Sequence, residues 1–268
     1  MNTAILLAAH GSRRPESRAA LETVSARVRA AYPDAACALA FTSAHILTIM
    51  RQSGETADDV ESALNKLHDQ GYRRVAVQSL HIIPGREFHE MEALANRLMV
   101  RDERFERIEV GKPLLACEED LVLVAEALMK LVPEDRKPDE AVVFIGHGTA
   151  HSGNEFYPAL NRKLQDIDPL VFMGVMGRGS GREPSVATIS KWLTRAGVTR
   201  AALMPFLFGA GYHAAFDLMG SKADSWETVL GQLGIACRGE LKGSGEYSEL
   251  ANIWLAHLAD AMARLKRR

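Results

Sequence analysis

One feature constrains this chain more than any other: its pattern is written twice. In the first half, short apolar runs at 4–9, 36–41, 75–80 and 108–110 alternate with amphipathic stretches at 16–32, 58–68, 87–100 and 118–131. Leu21, Val24, Val28 and Ala31 recur at helical spacing, Pro33 stops that stretch, and Gly71 closes the one at 58–68. The pattern restarts at 141–145. Gly146-His147-Gly148-Thr149 follows this run as Ala9-His10-Gly11-Ser12 follows the first. Gly71-Tyr72-Arg73-Arg74-Val75-Ala76-Val77 likewise resembles Gly197-Val198-Thr199-Arg200-Ala201-Ala202-Leu203, each after an amphipathic helix (62–70, then 185–196). Each half closes with a long helix, the last at 248–265. Strands alternating with helices of this length predict βαβ units. The expected fold is therefore α/β, with two similar lobes, each a parallel sheet flanked by helices. The lobes are predicted at 1–137 and 138–268, joined near the polar stretch 134–139.

Composition removes several classes. The chain has 268 residues, 47% hydrophobic and 25% charged, which excludes disorder, collagen and coiled coil. A net charge of −2 argues against a nucleic-acid partner. No apolar run reaches the 18 or so residues of a membrane span, and the run at 4–9 is too short for a signal peptide. Cys37, Cys117 and Cys237 are scattered and read as small core residues. A cytoplasmic enzyme without a membrane partner is the expectation; a homo-oligomer is compatible with it.

In parallel α/β sheets, ligands bind beyond the carboxyl ends of the strands. The residues just past the predicted strands are His10, Ser12, Arg13, His81 and His89 in the first half, and His147, Arg178, Glu183 and His213 in the second. His147 between two glycines suggests backbone opened for a ligand, and His213 follows a glycine-rich loop. Two imidazoles from different strand ends suit one borderline divalent metal, such as Co, Ni, Fe or Zn. His81, in an apolar segment, reads as a satisfied pocket-wall histidine; His68, His151 and His257 read as surface residues. Gly177-Arg178-Gly179-Ser180-Gly181 is not a phosphate loop, because no Gly-Lys-Ser/Thr follows and Pro184 interrupts. No serine lies in a nucleophile elbow.

Several segments together resemble the class II tetrapyrrole chelatases, specifically the anaerobic CbiK-type sirohydrochlorin cobaltochelatases. They are Ala40-Phe41-Thr42-Ser43, Val77-Gln78-Ser79-Leu80-His81-Ile82-Ile83, Gly146-His147-Gly148-Thr149, Leu203-Met204-Pro205-Phe206, His213 with Asp217 and Gly220, and Asp224-Ser225-Trp226. The resemblance spans nearly the whole chain. It implies two α/β domains with a tetrapyrrole in the cleft between them. It also implies insertion of Co2+ into sirohydrochlorin, or a close precorrin, in anaerobic cobalamin synthesis. His147 and His213 match the family histidines that hold the metal and take its protons. Arg13, Arg14, Arg178 and Arg182, with His10, Ser12 and His81, are then candidates for the substrate's acetate and propionate groups.

Two departures stand out. Where the family has Val-Glu-Gly-x-Pro-Ser, with the Glu as third metal ligand, this chain has a longer stretch, 175–185, in which Glu183 is the only nearby acid. Tyr212 stands where an Asp commonly precedes the histidine. Glu183 is either the replacement ligand or a residue complementing the helix that begins near Ser185. His89 is either solvated or, as in the corresponding segment of some relatives, an axial haem ligand at a subunit contact. Fe2+ or Ni2+ could replace Co2+. Ferrochelation toward sirohaem and non-catalytic tetrapyrrole or metal binding are the rival functions.

Overall fold

The computed structural model describes residues 3–14, 16–101, 104–177, 182–211 and 214–267. The chain forms two compact units. Unit 1 takes residues 1–13, 21–116 and 251–268; unit 2 takes 14–20 and 117–250. Unlike the division expected at 137/138, these units are not continuous in sequence.

Unit 1 contains β1 (Thr3–Ala9), most of α1 (Glu16–Ala31), β2 (Ala36–Phe41), α2 (Ala44–Gln52), α3 (Val60–Asp69), β3 (Arg74–Ser79), α4 (Arg86–Asn96) and β4 (Arg107–Gly111). All four strands are parallel, in the order β2-β1-β3-β4. The central β1 is buried from Ala4 to Ala9, as a strand covered on both faces must be. One face packs Ala4, Leu6 and Ala8 against Ala63, Leu64 and Leu67 of α3 and Phe88, Met91 and Ala95 of α4. Each fully buried aliphatic side chain contributes about 1.5–3 kcal/mol.

Unit 2 contains α5 (Glu118–Met129), β5 (Glu140–Gly146), α6 (Phe156–Ile167), β6 (Val171–Val175), α7 (Val186–Arg195), β7 (Arg200–Pro205), α8 (Trp226–Gly231) and β8 (Ala236–Gly239). Its parallel sheet runs β6-β5-β7-β8, the same order counted from its own first strand. Ile189 and Leu193 of α7 and Trp226 and Leu230 of α8 join Ala141, Val143 and Ile145 in one core. The predicted duplication is thus real at the level of topology.

The last helix, α9 (Ser248–Lys266), starts in unit 2 and continues into unit 1. Specific polar contacts hold it there. Arg264 donates to Glu109 (2.7 Å) and to the Val110 carbonyl (2.9 Å), and Trp254 Nε1–H donates to the His81 carbonyl (3.2 Å). His257 is therefore buried on this helix, which corrects the expectation of a surface residue. Helix α2 was also not anticipated; it follows β2 after only two residues. No helix among the described residues is long and apolar enough to cross a membrane.

Candidate functional site

In unit 2, β5 delivers His147 exposed at its carboxyl end. Gly148 follows with φ +72°, and a Cβ there would lie 2.7 Å from the Met176 carbonyl oxygen, so only glycine fits this turn. His147 Nδ1 is 3.0 Å from the Gly148 carbonyl. A carbonyl can only accept, so Nδ1 carries the proton and Nε2 keeps the lone pair, the arrangement common in metal-binding histidines. Beneath the loop, Tyr157 is fully buried and receives the Gly148 N–H on its hydroxyl; burial nevertheless pushes the phenol well above its ordinary range.

Asn154 ties two segments together. Its Oδ1 accepts from Thr149 N–H (3.0 Å) and its Nδ2 donates to the Glu183 carbonyl (3.1 Å). The Glu183 backbone is thereby fastened to the loop that carries His147. The Glu183 carboxylate itself accepts from Ser185 N–H (2.8 Å) and the Ser185 hydroxyl (3.0 Å), beside the start of α7. Burial opposes its ionisation, but hydrogen bonds from Thr188 and Ser185 and the charge of Lys191 outweigh this and hold it below the usual carboxylate range. His213 and Arg178 lie outside the described residues. On the short helix Ala214–Leu218, which follows His213, Phe216 carries the Arg14 guanidinium 5.0 Å from its ring centre and Lys222 Nζ at 5.8 Å.

In unit 1, β1 delivers His10 at the position topologically equivalent to His147, again followed by a glycine with positive φ (Gly11, +95°). Here the structure adds a residue that sequence reasoning missed. Glu87, in the first turn of α4, collects three groups from three strand ends. His10 Nδ1 lies 2.9 and 3.0 Å from its two oxygens, His81 Nε2 lies 3.1 Å from Oε2, and the Thr42 hydroxyl donates to the same oxygen. Ser79 Oγ sits 2.9 Å from His81 Nδ1. Burial raises the Glu87 pKa, but hydrogen bonds from His10 and His81, the charge of His10 and the Thr42 hydroxyl together hold it far below the ordinary range. His81 is satisfied, as expected of a pocket-wall histidine. Ser12 is half-buried nearby in sequence and Arg13 is exposed.

His89 is exposed on α4, its Nδ1 3.0 Å from Glu92 and its ring edge-on to Phe88. Among the described residues, no three His, Cys, Asp or Glu side chains already surround a common metal position.

Comparison with known proteins decides the family. The family model described as cobalt chelatase (CbiK) matches residues 3–263. The chain belongs to the CbiK family. Two curated members fit this assignment. Sirohydrochlorin cobaltochelatase CbiKC of Nitratidesulfovibrio vulgaris is 40% identical over 261 residues, 97% of this chain and 91% of that one. The sirohydrochlorin cobaltochelatase of Salmonella typhimurium is 34% identical over 234 residues, 87% and 86% of the two chains. Among solved structures, SirB from Bacillus subtilis with Fe3+ superposes with a TM-score of 0.68 at 18% identity, covering 98% of this chain and 97% of that one. At that identity the likeness to this CbiK-family chain is one of fold: two α/β units built from parallel sheets flanked by helices.

Proposed function

We propose that this chain inserts Co2+ into sirohydrochlorin or a closely related precorrin. The observation that carries the reading is the full-length family match, with 40% identity to a protein named for that activity. The geometry of unit 2 supports it: His147 is exposed at the end of its central strand, its Nδ1–H occupied by a carbonyl and the lone pair on Nε2. Insertion exchanges one dication for the two pyrrole N–H protons. An imidazole lone pair can hold the ion before transfer and accept a proton during it. His147 and His213 take those roles. His10, Ser12, His81, Arg13 and Arg178 address the carboxylates of the tetrapyrrole, with Arg14 and Lys222 beside Phe216 as further cations.

Glu183 is held near the His147 loop through its own carbonyl. Its carboxylate would have to leave Ser185 to reach a metal, so as it stands it supports the start of α7. His89 offers a nitrogen for haem, but its neighbours on α4 are charged, with Arg86 Nε 3.5 Å from Glu90. An iron porphyrin there would need another surface to cover its apolar face. A haem titration of wild type and His89→Ala tests this through the Soret band.

The deciding assay is absorbance-monitored metalation of sirohydrochlorin with Co2+, Fe2+ and Ni2+ in turn. Fastest turnover with Co2+ supports the reading, and fastest turnover with Fe2+ transfers it to the sirohaem branch. No acceleration with any metal overturns it in favour of a binding protein.

A further inference from the structure

We propose that Asn154 is a positioning residue for His147, acting through the peptide between Gly148 and Thr149. This deepens the reading of His147 as a group that takes the metal and a proton, and it rests on that reading. The His147 ring donates from Nδ1 to the Gly148 carbonyl at 3.0 Å. That carbonyl and the Thr149 N–H belong to one planar trans peptide, so fixing the direction of one fixes the other. Asn154 Oδ1 accepts from this N–H at 3.0 Å, and Asn154 Nδ2 donates to the Glu183 carbonyl at 3.1 Å. Three hydrogen bonds thus run head to tail. They lead from the His147 ring through the 148–149 peptide and the Asn154 amide to Glu183.

The partners leave the Asn154 amide one orientation. Turned over, it would set its NH2 group against the Thr149 N–H and its oxygen against the Glu183 carbonyl. Asn154 is buried, in the short helical turn Ser152–Glu155 that leads into α6. From α6 itself, Tyr157 accepts the Gly148 N–H. The two peptides flanking Gly148 are therefore held from one piece of chain, 147–148 by Tyr157 and 148–149 by Asn154. Each amide in such a series polarises the next, so the Asn154 bond strengthens the Gly148 carbonyl as the acceptor of Nδ1–H. Without that bond the 148–149 peptide can turn, and Nδ1–H loses its advantage over Nε2–H. A proton on Nε2 would occupy the position where the metal or a pyrrole proton must arrive.

The test reads tautomer and turnover in the same full-length proteins. Histidine labelled with 15N is observed by NMR in mildly alkaline solution, where imidazoles are neutral; the His147 signals are those lost in His147→Ala. Wild type should show Nδ1–H with the lone pair on Nε2. Asn154→Ala should turn His147 into a mixture of tautomers and lower kcat for Co2+ insertion about tenfold, with KM for sirohydrochlorin changed less than about threefold. Asn154→Leu, which fills the space without the amide, gives the same readout if the alanine variant does not fold. Asn154→Asp keeps the acceptor for Thr149 and loses only the donor to Glu183. It should melt lower, yet retain the Nδ1–H signature and about a third or more of the turnover. The proposal is overturned if His147 of wild type is the Nε2–H tautomer, or if Asn154→Ala and Asn154→Leu keep the wild-type signature. It is also overturned if turnover in the variants follows thermal stability alone. His147→Ala separates this failure from failure of the reading beneath it. If His147→Ala metalates at the wild-type rate, the role of His147 falls and that of Asn154 with it. If His147→Ala is inactive while the Asn154 variants keep signature and turnover, the role of Asn154 alone falls.

Discussion

The two units place a histidine at the same point of the same sheet, yet surround it differently. His10 meets a carboxylate that also gathers His81 and Thr42. His147 meets the carbonyl of the next residue. A carboxylate shared by two imidazoles fixes side chains and holds charge in place. A backbone carbonyl adds no charge; it selects the tautomer that keeps the lone pair on Nε2. A duplicated scaffold can thus keep its strand order while its two sets of strand ends diverge in electrostatics.

The sharpest way to break this comparison is catalytic. His147→Ala should lower metalation about 100-fold or more, the scale of a lost acid–base group. His10→Ala should lower it less than tenfold. Thermal melts of both should stay close to wild type, since both residues are exposed. Equal losses of turnover would show that the units share the work.

Next in size are the two strand-end glycines. Gly148→Ala sets a Cβ 2.7 Å from a backbone oxygen and 3.0 Å from Val175 Cβ, on top of φ +72°. It should cost about 3 kcal/mol in a denaturant titration. Gly11→Ala meets only the side chains of Ile46 and Phe41, at 3.1 Å, and should cost about 1 kcal/mol. The reverse order would mean that the unit 2 turn is the softer of the two.

A pH measurement probes how α9 is fastened to unit 1. Burial raises the Glu109 pKa, but Arg264 and Arg107 more than offset this and lower it. A carboxyl lowered on folding stabilises above its unfolded pKa of about 4.3, and that stability is lost as pH falls through the lower folded value. Glu109→Gln should therefore melt lower than wild type at pH 7, by about 2 kcal/mol, with the gap closing in acid. A gap that persists below pH 3 would show that packing, rather than charge, carries the difference.

The smallest effect is expected at Glu183→Gln. Its carboxylate is exposed and bound to Ser185, so stability should fall by under about 1 kcal/mol. Unchanged Co2+ affinity would leave it a helix-start residue. A tenfold loss would make it a ligand and widen the contrast with unit 1.

The duplication, the parallel strands and the positions of His10 and His147 were legible in the sequence. Buried strands declare themselves as continuous apolar runs, and a His-Gly pair directly after one needs no distant information. Glu87 was not legible. In sequence it is one acid among the charged residues that open α4, and such acids ordinarily serve the helix dipole. Only the return of the β3–α4 connection past the ends of β1 and β2 brings it against His10, Thr42 and His81. The placement of α9 was decided the same way: helical periodicity shows that an apolar face exists, while the partner surface is chosen by long-range contacts such as Arg264 on Glu109 and Trp254 on the His81 carbonyl. Local pattern determined which elements form and which residues cap the strands. Tertiary structure decided which side chains meet there, because those meetings join residues tens of positions apart whose proximity no local periodicity encodes.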